Sequence, residues 1–112
     1  MIIRSAVLEG QVPETDREEF DRLMRTEVLQ AVASYPGLAR VVLRQPVECD
    51  EGAPPIYMVF DLHFPSLQAM RDALASPVRQ QVRARMAPSM SRFQGRVYHV
   101  VSEETDAISP GA

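Results

Sequence analysis

Asp61 and His63 stand two residues apart in the run Ile56 to Phe64, where apolar and polar residues alternate. Alternation with period two is the mark of a half-buried strand. Met58, Phe60, Leu62 and Phe64 form its apolar face, and Tyr57, Val59, Asp61 and His63 the other. Two residues apart on a strand, Asp61 and His63 point the same way, about 7 Å apart at a rise of ~3.4 Å per residue. An imidazole with an ordinary pKa near ~6.5 suits proton transfer at neutrality, and a carboxylate can orient or charge it. Arg40 and Arg44 lie on a preceding strand, Leu38 to Arg44. If the two strands pair antiparallel with Arg44 opposite Tyr57, Arg40 falls opposite Asp61. Parity then puts Arg40, Arg44, Asp61 and His63 on one face. A guanidinium there would bind an enolate or carboxylate in a planar, two-pronged contact. The competing reading is structural: Arg40 and Asp61 form a cross-strand ion pair and His63 is a polar interface residue.

Elements that position these residues follow from the same patterning. Ile2 to Leu8 reads as a first strand. Thr15 and Glu18 have capping-box spacing before a helix whose Phe20, Leu23, Met24, Val28, Ala31, Val32 and Tyr35 share a face. Pro36-Gly37 ends that helix. Residues 45–55 are acidic and proline-rich, a loop. Ser66 caps a second helix carrying Leu67, Met70 and Leu74; Ser76-Pro77 interrupts it; Val78, Val82 and Met86 continue the apolar stripe. Arg96 to Ser102 is a fourth strand. Arg96 shares a face with Tyr98, which favours Tyr98 for the cavity side and His99 for the helix side or an edge. Arg4 is expected on the bare face, because the helix side would bury its charge. The order β-α-β-β-α-β is a ferredoxin-like α+β fold: an antiparallel sheet with two helices on one face. The other face, bare in a monomer, is half apolar and calls for a partner. Two sheets face to face make a homodimer, a dimeric α+β barrel. Residues 1–104 form one domain, and 105–112 a flexible tail.

Composition narrows the chemistry. The 112 residues contain 12 basic side chains, all Arg, with no Lys, Asn or Trp, which removes Schiff-base lysine and asparagine-dependent mechanisms. Missing Lys and Asn, whose codons are AT-rich, point to a GC-rich bacterial genome. A net charge of −3 gives no footprint for nucleic acid, and no run suits a membrane span or signal peptide, so a cytoplasmic location is the expectation. The single Cys49 sits among Glu48, Asp50 and Glu51, which disfavour a reactive thiolate. The two histidines lack the spacing of metal ligands, so no metal and no cofactor are expected.

Three segments carry a family resemblance: Arg17-Glu18-Glu19-Phe20, Tyr35-Pro36-Gly37-Leu38, and Asp61 to Met70 followed by Ala75-Ser76-Pro77. Together they make the chain resemble the EthD family of dimeric α+β barrels over roughly residues 2 to 104. The resemblance implies a homodimer with a small cavity per subunit. It also implies a small apolar or aromatic ligand and cofactor-independent work as an isomerase, lyase or oxidation accessory. The family's aromatic–histidine pair in the first helix falls on Met24 and Val28, so that histidine is absent. His63 and Asp61 are then the candidate catalytic pair, with Arg40, Arg44, Tyr57 and Tyr98 as candidate binding residues. The alternative is a non-catalytic homodimeric binding or assembly module. A hollow of ~300 Å³ or more between the facing sheets, or between the sheet and the first helix near Met24 and Val28, would fit a small-molecule site, and a filled core would favour the module.

Overall fold

In the computed structural model, which describes residues 1–111, the strands are β1 (Ile2–Gln11), β2 (Arg40–Arg44), β3 (Ile56–Phe64) and β4 (Gln94–Glu103). They form one antiparallel sheet in the order β2-β3-β1-β4. The helices are α1 (17–33), α2 (Leu67–Ala75) and α3 (Val78–Met90). All cover one sheet face, as the ferredoxin-like order requires. Leu8, Met58, Phe60, Leu62 and Phe64 on the sheet and Phe20, Met24, Val28, Val32, Met70 and Val82 on the helices make the core. Among the described residues no helix is long and apolar enough to cross a membrane. The expected tail has no regular structure over residues 105–110, and Ala112 lies outside the described residues.

Local chemistry explains most boundaries. The Ser66 hydroxyl accepts from the Ala69 amide at 3.0 Å and starts α2. Ser76-Pro77 separates α2 from α3, because the residue before a proline is pushed to extended backbone: Ser76 has ψ 160°. The Thr15–Glu18 capping box does not form: Pro13 leads into a short 3-10 turn (Glu14–Asp16), which runs into α1 without a side-chain cap. Within α1, Met24–Val28 widens to a π-helical turn. Gly10 and Gly95 face each other across β1 and β4 with φ of 147° and 155°; a Cβ on either would strike the other strand's backbone. Only glycine allows that approach.

Three sequence expectations change. The β2–β3 register is shifted by two, pairing Arg40 with His63 and Arg44 with Val59. An even shift preserves faces but removes the Arg40–Asp61 opposition. Next, β3 carries a bulge: Leu8 pairs with Met58 but Glu9 with Ile56. The extra residue, Tyr57, therefore turns to the helix side rather than the bare face. It packs edge-on to Phe20 at 5.5 Å, and its hydroxyl donates to Asp21 Oδ1 at 2.6 Å. Burial, then that hydrogen bond, pushes the Tyr57 phenol up to about 12. Finally, Arg4 shares parity with Ala6 and Leu8 and points toward the helices, not to the bare face.

Candidate functional site

Two hollows flank the sheet. The first lies on the bare face. Arg40, Arg44, Asp61, His63 and Tyr98 are all on that face, in cross-strand rows with Ile3, Ser5 and Val7 of β1. Arg44 reaches diagonally to Asp61, with Nε donating to Oδ2 at 2.7 Å and Nη2 to Oδ1 at 3.4 Å. Ser5 Oγ donates to Oδ1 at 2.6 Å. Burial pushes the Asp61 carboxyl up, but Arg44, Ser5 and the nearby His63 outweigh it and hold the group below its usual range. Among the described residues no hydrogen bond joins Asp61 to His63. The carboxylate is thus engaged in a cross-strand ion pair, made with Arg44 rather than Arg40. Arg96 pairs with Glu9 at 2.8 Å and lies over the Tyr98 ring. The 45–55 loop folds over one end of this face and walls an open hollow of about 530 Å³ with Ile56, Val59 and Cys49.

The second hollow lies between sheet and helices and is smaller, about 160 Å³. Its floor is Ala6, a small residue flanked in the sheet by Phe60 and His99. Val32 and Tyr35 come from the end of α1 and the turn after it. From α3 come Arg79, Val82, Arg83 and Met86, the i, i+3, i+4, i+7 face of that helix. Arg4 on β1 and His99 on β4 complete the wall. No hollow opens beside Met24 and Val28, which are fully packed core, and the nearby cavity is smaller than the ~300 Å³ expected of a typical small-molecule site.

Positive charge dominates this cavity. Arg4, Arg79 and Arg83 form no ion pair among the described residues, and no carboxylate lines the space. Burial and then Arg79 lower the affinity of Arg4 for its proton, with a smaller push from Arg83 and an opposing one from Tyr35. Burial raises the Tyr35 phenol, against the pull of the three arginines. Tyr35 is only 7% exposed, and its hydroxyl, which bonds no protein group among the described residues, reaches open space rather than being buried unpaired. His99 is open to water on one side, but burial of the rest, then Arg4 and Arg79, drops its pKa to about 4. Its imidazole is neutral at pH 7, able to accept or donate a hydrogen bond. Among the described residues no three His, Cys, Asp or Glu side chains converge to hold a metal ion.

A stability signature follows from His99. The unfolded chain, with an ordinary histidine pKa near ~6.5, takes up the proton before the folded one does. The stability His99 confers is therefore complete above that pH and is lost as pH falls toward about 4. Urea unfolding at pH 7 and pH 4.5 should show a smaller acid loss in His99→Gln than in the parent. Solvent access keeps the difference modest. Equal losses in both proteins would contradict the assignment.

No protein-family model and no curated protein sequence matches the chain. Solved structures do. An EthD family protein from Bacillus halodurans superposes with a TM-score of 0.74 at 16% identity, over 94% of this chain and 100% of that one. A monooxygenase of Streptomyces coelicolor, in complex with nanaomycin D, has a TM-score of 0.70 at 17% identity, over 98% and 92%. A cofactor-independent oxygenase from Streptomyces nogalater has a TM-score of 0.62 at 16% identity, over 97% and 96%. The fold is EthD-like. At these identities the likeness is one of fold.

Sequence reasoning did not find the positively charged cavity. Its signals were present: Arg4 alternates with Ala6 and Leu8, and Arg79 and Arg83 flank the Val82–Met86 stripe one turn apart.

Proposed function

We propose that this EthD-like chain binds a small, largely apolar metabolite in the cavity between its sheet and its helices. The observation that carries this is the cavity itself, about 160 Å³ with apolar walls from Ala6, Val32, Phe60, Leu62, Val82 and Met86. That is the size of hollow, roughly 150 Å³, that holds one benzene ring. Structural neighbours described as a cofactor-independent oxygenase and as a monooxygenase with nanaomycin D bound support it. The cavity also holds guanidiniums able to receive an enolate and a neutral imidazole at His99 able to hydrogen-bond a substrate. An isomerase, a lyase or an oxidation accessory would use them in that way.

The bare sheet face supports a homodimer. Ile3, Val7, Val42 and Val100 give it apolar area, and the Arg44–Asp61–Ser5 network satisfies its polar centre. Arg40, His63 and Tyr98 would then sit at or beside the dimer interface. This arrangement also favours a second reading, a homodimeric assembly module, in which the bare face is the working surface.

Thermal unfolding against lactones, phenols and alkyl ethers separates the two. A true ligand at ~100 times its dissociation constant adds about 2.7 kcal/mol of stability. No shift with any compound would leave the assembly module standing and remove the ligand-binding reading.

A further inference from the structure

We propose that the ligand of the sheet–helix cavity is an anion: a one-ring or short branched carboxylic acid, bound as its carboxylate. The inference rests on the binding reading above and adds the chemical class. Its ground is an imbalance. Three guanidiniums, Arg4, Arg79 and Arg83, converge from two elements on one small cavity, and no acid among the described residues answers them. Elsewhere on the chain Arg22, Arg44, Arg92 and Arg96 pair with acids. The other arginines without an ion pair among the described residues, Arg17, Arg25, Arg40, Arg71 and Arg85, are exposed, no two of them lining one hollow. Arg4 is the costliest of the three, since β1 carries it between sheet and helices where like charges face it from α3. A partly buried cation held against two others is unfavourable unless an anion completes the group.

The remaining polar groups fit the same occupant. The Tyr35 hydroxyl is without a protein partner and can donate to a carboxylate oxygen. His99, neutral, adds no competing charge and can donate its ring N–H. Ala6, Phe60 and Val82 leave room for a ring or a branched chain behind the carboxylate. The cavity thus has a charged mouth and an apolar floor, the shape of an amphiphilic acid.

Isothermal titration at pH 7 with benzoate, benzamide and benzyl alcohol tests the claim. Benzoate should bind about 10- to 100-fold more tightly than benzamide, the range for hydrogen bonds to a charged partner. Arg83→Gln, at an exposed helix position that should not affect folding, should remove most of that preference and leave benzamide unchanged. Arg71→Gln, at an exposed position on α2 that lines neither hollow, should change nothing. Equal or tighter binding of benzamide would overturn the anion while leaving the cavity reading intact. Loss of benzoate in Arg40→Gln but not in Arg83→Gln would overturn it by moving the anion to the other face. No binding of any of the three probes would overturn both.

Discussion

Phe20→Ala will lower the unfolding free energy by about 3–5 kcal/mol, the range for removing a buried aromatic ring from a core. Phe20 is 1% exposed, at the centre of a three-ring cluster. Tyr57 meets it edge-on at 5.5 Å, and Phe93 stacks on it at 6.1 Å. Tyr57 and Phe93 also meet, at 6.2 Å. The cluster joins the first turns of α1 to the bulged end of β3 and to the segment before β4, so collapse around the void cannot be local. It also backs the Tyr57–Asp21 hydrogen bond, which Phe20→Ala leaves more exposed to water. Urea unfolding at neutral pH reads the loss as a lower midpoint at constant slope. A loss under about 1 kcal/mol would mean that the bulge does not depend on the rings.

Ala6→Leu will do the opposite to stability and abolish binding. Ala6 is the floor of the sheet–helix cavity, and a leucine there grows into empty space. Cavity filling of this kind adds about 0.5–2 kcal/mol where the new side chain fits. The same atoms occupy the volume a ligand needs, so affinity should fall by two orders of magnitude or more, on the order of 3 kcal/mol. Leucine stands on the apolar floor and leaves the arginine mouth untouched, which separates loss of room from loss of charge. Melting and titration of one preparation give both numbers. Unchanged affinity in a stabilised variant would place the ligand elsewhere.

Much of the frame was legible in the residues. The bounds of β3 match its alternation from Ile56 to Phe64, and Ser76-Pro77 divides the second helical segment as proline chemistry dictates. Parity with Arg96 favoured the bare face for Tyr98 but left His99 between the helix side and an edge; the pairing of β4 with β1 puts His99 on the helix side. What escaped was set by pairing at a distance. The bulge at Tyr57 has no local signature: it exists because Leu8 and Glu9 engage β3 one residue out of step. The β2–β3 register was off by two because the loop between them offers no tight turn to fix it. Arg4 is the instructive residue. Parity sent it inward and the cost of burying charge sent it outward; the structure follows parity, because the cavity lets its guanidinium sit beside open space. Departures of this kind, where a local rule is broken, cluster where function resides.

Mapping backbone amide shifts of the labelled protein during a benzoate titration tests most directly whether a ligand sits between the sheet and the helices. The perturbed amides should gather at Ala6, Val32, Leu62, Val82 and His99. Perturbation centred instead on Ile56, Val59 and the 45–55 loop would contradict that placement and make the bare face the binding surface.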